Sequence, residues 1–204
     1  MISEQDRHRV SQAIHEAEKG SSGEIVVVLA RQADSYRAIP IALGLFLALL
    51  VPWPLIWLTE LGPSRIFLIQ LAVAVALNAV LAWPPLHLAL IPGSIKRARA
   101  HEAALREFSS HGLSRTQGRT GVLIFVAAAE HYAEIIADIG IADRAGPAVW
   151  EEIIAELIAA IRQDRLSDGL MRAVQHAGLI LAEHAPPQAH DANELPDKVV
   201  ILDD

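Results

Sequence analysis

Between Arg37 and Glu60 the chain runs for 22 residues without a charge, and between Arg65 and Lys96 it runs for 30. A helix needs about 20 predominantly apolar residues to cross the hydrocarbon core of a bilayer. The two stretches therefore predict two spans, about 39–58 and 66–90, joined by the turn Thr59-Glu60-Leu61-Gly62-Pro63-Ser64-Arg65. Both must be helical in lipid, because each unmet backbone polar group there costs several kcal/mol. Pro52, Pro54, Pro84 and Pro85 remove donors and are expected to kink or end these helices. Trp53, Trp57 and Trp83 are candidates for an interfacial aromatic belt. Asn78, well inside the second span, reads either as an interhelical hydrogen-bonding group or as one tolerated polar residue. A buried hairpin of a soluble protein is the competing explanation, but two such runs back to back are rare in soluble cores.

The flanks carry a different pattern. Ser3-Glu4-Gln5-Asp6 has the form of a capped helix start, with Val10, Ala13, Ile14 and Ala17 on one face and Gly20 as the stop. Gly23-Glu24-Ile25-Val26-Val27-Val28-Leu29-Ala30 is a continuous β-branched run that suits a strand covered on both faces. After the apolar pair, a helix is expected over about 94–110, capped by Ser94, with Ala98, Leu105 and Phe108 as its inner stripe and Gly112 as its stop. A second buried strand lies within 119–128 and a third, nearer the sheet edge, within 132–138. Gly140 and Gly146-Pro147 break the chain. Two amphipathic helices follow, about 148–163 and 169–184, the second with Asp168 as a candidate cap and with Gly178 placed for close helix–sheet contact. Residues 186–204 are polar and acidic; within them Val199-Val200-Ile201-Leu202 reads as an added strand or docking peptide, or as part of a flexible tail.

Charge sets the topology. Arg31 and Arg37 precede the first span, Lys96, Arg97, Arg99 and Arg106 follow the second, and the connecting turn holds only Arg65. The positive-inside rule then puts both flanks and both termini in the cytoplasm and Gly62 outside. No signal-peptide pattern opens the chain. The absence of cysteine excludes disulfides and thiolate metal sites. Of the net charge of −7, residues 191–204 supply −4 through Asp191, Glu194, Asp197, Asp203 and Asp204 against Lys198. No basic footprint for nucleic acid exists.

The wording of the flanks resembles a known family. Ser22-Gly23-Glu24-Ile25-Val26-Val27-Val28, then Arg119-Thr120-Gly121-Val122-Leu123-Ile124-Phe125-Val126, then Glu134-Ile135-Ile136-Ala137-Asp138-Ile139-Gly140-Ile141 and Asp168-Gly169-Leu170 are similar to TPM domains. This is the family of thylakoid-lumen, photosystem-repair and acetylcholine-receptor-modulating proteins. The resemblance covers roughly residues 3–31 and 95–185, and is nearest to bacterial membrane proteins in which a helical hairpin interrupts the domain. It implies an α/β fold, a small mixed-sheet sandwich with helices on both faces, interrupted here by a two-helix transmembrane hairpin. The division is then 1–36 and 94–185 for the two parts of the domain, 37–93 for the hairpin and 186–204 for the tail. The resemblance also implies a divalent-cation site, for Ca²⁺ or Mg²⁺, and an acid-phosphatase activity.

Hard cations need several oxygen ligands from different segments. The candidates at strand ends are Asp138, Asp143 and Glu24, read against the plainer alternative of solvated loop acids. Glu130, His131 and Glu134 could work as acid–base residues, although they fall where a tight turn is polar anyway. Ser109-Ser110-His111 fits a helix C-terminus better than a nucleophile. His8 and His15, seven apart, are too far separated for a helical metal pair. No nucleophile elbow, phosphate loop or His-Glu-x-x-His motif is present in the sequence. The expectation is an inner-membrane interaction or assembly module, in contact with the bilayer and with a membrane-protein partner or a second copy. A cation-dependent phosphatase is the alternative.

Overall fold

The computed structural model describes residues 2–83, 88–187 and 194–202. The chain divides into two compact units, residues 35–96 and the remainder.

In the larger unit, α1 (Glu4–Glu18) starts where Ser3 Oγ accepts from the Asp6 amide at 3.1 Å. Strand β1 (Ile25–Ala30) follows, and the unit resumes in helix α5 (Gly93–Ser110), which belongs to it from Arg97 onward. Two 3₁₀ turns lead to β2 (Val122–Ala127) and β3 (Tyr132–Ala137). Helices α6 (Ile139–Ala145), α7 (Pro147–Arg162) and α8 (Leu166–His184) come next, and β4 (Val199–Leu202) completes the unit. The sheet order is β3-β2-β1-β4, with β1 parallel to both β2 and β4 and β3 antiparallel to β2. Every residue of β1 and β2 is buried. Their unbroken apolar runs have this cause: a central strand covered on both faces has no solvent side to alternate with. Val27, Ile124 and Val126 face a core built with α1, α7 and α8, while Val28, Leu123 and Phe125 face α5.

Several expectations need correction. In α5 the buried positions are Ala100, Ala103, Ala104 and Phe108, with Ala98 and Leu105 exposed. The small alanines, not the larger Leu105, let this helix lie close to the sheet. The segment expected as a loop after β3 is the short helix α6, because Asp138 caps it. Helix α8 begins earlier than 169, leaving Asp168 in its first turn. Gly178 serves helix–helix contact: a Cβ there would stand 2.6 Å from Ala17 Cβ of α1. The tail is not uniformly flexible, since Val199–Leu202 pair with Val27–Ala30. Its residues 188–193, and Asp203 and Asp204, lie outside the described residues.

The smaller unit holds two helices long and apolar enough to cross a membrane, Ala38–Leu58 and Pro63–Leu81. The first is broken at Val51 into α2 (Ala38–Leu50) and α3 (Pro52–Leu58), as the missing Pro52 and Pro54 donors require. The second, α4 (Pro63–Leu81), ends short of the expected residue 90. Pro84 and Pro85, expected to help end it, lie outside the described residues. Helices α2 and α4 meet where Asn78 covers Gly44; a Cβ on Gly44 would stand 2.8 Å from Asn78 Nδ2. Asn78 Nδ2 donates to Ala74 O of its own helix at 2.9 Å, so the amide is satisfied locally.

Candidate functional site

The sequence placed cation donors where β1 begins and β3 ends, and the register does bring these places side by side. Ile25 pairs with Val122 and Val122 with Ala137, so Glu24, Gly121 and Asp138 line the same end of the sheet. Their carboxylates are committed elsewhere. Asp138, 5% exposed, accepts from the Ile139 amide as the cap of α6 and takes a two-pronged contact from Arg119, with Nη2 to Oδ1 at 2.9 Å and Nε to Oδ2 at 3.1 Å. Both oxygens are thereby used against a guanidinium, the donor geometry that matches a carboxylate best. Asp143 lies exposed on α6. Among the described residues no group of three His, Asp or Glu side chains is gathered as a cation would require.

The Arg119 loop is held tightly. Arg119 has a φ of 54° and Gly118 a φ of 78°, and their carbonyls press on Gly140, where a Cβ would stand 2.1 Å from Gly118 O. A left-handed non-glycine residue costs free energy. The bidentate pair with Asp138 offsets that cost.

Glu24 belongs to another cluster, built by the tail. Glu24 Oε1 accepts from the Glu194 amide at 2.9 Å, and Glu194 Oε1 accepts from the Gln117 amide at 3.0 Å. Nearby, Glu18 Oε1 accepts from the Ile25 amide at 2.8 Å, and Asp197 meets His15 Nδ1 at 2.7 Å. Burial pushes the Glu18 carboxyl up to about 9, and the charges of Glu24 and Asp197 add to that rise. Glu24 is also raised, by burial first, with the Glu194 and Leu195 amides opposing. Glu18 is consequently protonated at neutral pH, which relieves the repulsion among these acids.

A third cluster joins α5 to the sheet edge. His101 Nδ1 lies 2.8 Å from Glu134 Oε1, and the Tyr132 hydroxyl donates to Glu134 Oε2 at 2.9 Å. The Tyr132 hydroxyl pKa is raised, by burial first and then by this bond. Of the acid–base trio expected at the turn, only Glu134 enters this group. Glu130 instead accepts from the Ala33 amide, and His131 holds a left-handed φ of 50° in the turn. His101, Arg119, Glu18 and Glu194 were not singled out in the sequence, because each acts through a partner from a distant segment. Ser109 and Ser110 bond back to Leu105 O and Glu107 O, as a helix C-terminus does. Trp150 is buried in the core against α7 and α8 neighbours.

Residues 89–179 match the family model of the TPM domain, TPM_phosphatase. That span starts ahead of α5 and stops within α8, so α1 and β1, which the hairpin separates from the rest, fall outside it. No curated protein matches the chain. The fold is shared with the BA42 protein from the psychrophilic bacterium Bizionia argentinensis, solved by NMR. The likeness has a TM-score of 0.62 at 19% sequence identity and covers 99% of this chain and 96% of that one. Residues 89–179 are thus similar in sequence to a TPM domain, and the sheet with its helices on both faces has the fold of the BA42 protein.

Proposed function

We propose that the chain is a membrane-anchored TPM-domain protein acting as an interaction or assembly module of the cell envelope, with Ala38–Leu58 and Pro63–Leu81 as its spans. The observation that carries this reading is the apolar surface of the two helices. Trp57 and Leu58 are 82% exposed, and Trp53, Phe67, Leu68 and Val75 are exposed beside them. Contiguous apolar surface of that extent marks a membrane or protein contact. The cations Lys96, Arg97, Arg99 and Arg106 against the single Arg65 support a cytoplasmic TPM domain, with Gly62 outside.

The test is membrane fractionation followed by alkaline extraction, with a topology reporter inserted at Gly62. The reading expects the chain to stay with the bilayer and the reporter to register outside. Release by alkaline carbonate, or a cytoplasmic signal at Gly62, overturns it. Cross-linking in intact membranes is then expected to recover one dominant membrane-protein partner or a second copy.

The family model's name favours a second reading, a phosphatase, for which the sequence resemblance implies dependence on Ca²⁺ or Mg²⁺. That activity would need Asp138 freed from Arg119. Turnover of a generic aryl phosphate that depends on the cation and is lost in Asp138→Asn would put this reading first.

A further inference from the structure

We propose that the edge of β1 now covered by β4 is a binding site for an extended peptide, and that residues 194–202 are its built-in, displaceable occupant. The inference deepens the interaction reading and rests on it.

The segment Glu194-Leu195-Pro196-Asp197-Lys198-Val199-Val200-Ile201-Leu202 is held as a ligand is held. Val27–Ala30 pair in parallel with Val199–Leu202, and the Arg31 amide donates to Leu202 O at 3.2 Å. Side chains alternate between the two cores: Val199 and Ile201 enter the one lined by α1 and α8, and Val200 and Leu202 enter the one lined by α5. Ahead of the strand, Glu194 docks between Glu24 Oε1 and the Gln117 amide. Main-chain pairing with alternating pockets and one polar anchor is the signature of strand addition to a sheet edge.

Three observations make the occupant removable. Only Val199 of the four strand residues is fully buried. The docked segment sets the Glu194 and Asp197 carboxylates near that of Glu24, and like charges weaken the hold. Finally, the two ends of the connection are anchored close together. Ala185 O accepts from the Ser22 amide at 2.8 Å and the Glu194 amide reaches Glu24 at 2.9 Å, so both ends of 186–193 are tied to residues two apart. Eight residues can extend to roughly 26 Å. The segment can leave without disturbing α8.

The partner that fits is a protein presenting an extended stretch with an acid about five positions ahead of an alternating aliphatic run, entering parallel to β1. Its competitor is intramolecular and acts at an effective concentration in the millimolar range, so the site is closed until that partner is abundant or tethered nearby.

The test uses the full chain in detergent with a specific protease site placed within 188–193, and a fluorescent nonapeptide of the sequence 194–202. Uncut chain is expected to bind the peptide weakly. After cleavage and dilution the native segment should exchange, and the labelled peptide should bind at least tenfold more tightly, while a peptide carrying Val199→Lys should not bind. The proposal is overturned if the cut chain keeps its segment through dilution without exchange. It is equally overturned if cut and uncut chains bind alike or not at all, or if the domain unfolds as the segment leaves. None of these outcomes touches the membrane cross-linking result, which judges the interaction reading separately.

Discussion

Asp138 does two jobs, capping α6 and fixing Arg119 in its left-handed turn. Asp138→Ala removes both and is expected to cost about 1–2 kcal/mol, whereas Asp138→Asn keeps a cap and costs less; thermal melts of the two variants separate the contributions. Because both oxygens are engaged, excess Ca²⁺ or Mg²⁺ is expected to leave the wild-type melting temperature unchanged, where a bound cation at 100 times its dissociation constant would add about 2.7 kcal/mol. Glu18 predicts a pH dependence. Its carboxyl holds a proton in the folded state up to about pH 9, against 4.5 for the free group. Between those values the folded state binds more protons than the unfolded one, so stability falls as pH rises through the window. Glu18→Gln is expected to raise the melting temperature by a few degrees at pH 8 and leave it unaltered at pH 4. A variant that destabilises equally at both pH values would show that the ionisable proton is not the cause.

At the scale of elements, Gly140 runs against propensity. Alanine is favoured over glycine in a helix by about 1 kcal/mol, yet a Cβ here meets the backbone carbonyls of Gly118 and Arg119. Gly140→Ala is therefore expected to destabilise by more than that amount in denaturant melts, and a stabilised variant would mean the 118–119 turn can move. The same contrast explains what could be read from sequence. β1 and β2 were legible because burial on both faces leaves a continuous apolar run, and the two apolar helices because their runs are long and free of charge. The strand at the sheet edge was legible from its shorter core. The inner face of α5 was misread, since alanine is equally at home on either side of a helix. Helix α6 was missed because its cap, Asp138, also looked like a cation donor. The polar clusters were illegible because His101 with Glu134, and Glu194 with Glu24, are joined only by tertiary structure.

The whole molecule is a domain opened between its first two strands to admit the hairpin. Arg99 Nε stands 3.4 Å from Asp34 Oδ2, so the two chain ends at the opening lie close together within the domain. Replacing residues 35–96 with a short glycine–serine linker is expected to give a soluble protein with the same cooperative unfolding, measured by circular dichroism. Aggregation of that variant would mean that the domain depends on its anchor.

The parallel pairing of Ile25–Ala30 with Val122–Ala127 also fixes an order of events during synthesis. When β1 leaves the ribosome its partner has not been made, and the next segments to emerge are the two apolar helices. β1 must therefore wait, unpaired and rich in valine, while the hairpin emerges and, on the membrane-anchored reading proposed above, inserts. The sheet can close only after β2 has been translated. If the hairpin inserts as proposed, delay at the membrane lengthens that exposure, and the nascent chain's demand for a holding chaperone should then rise with insertion time rather than with the folding rate of the finished domain.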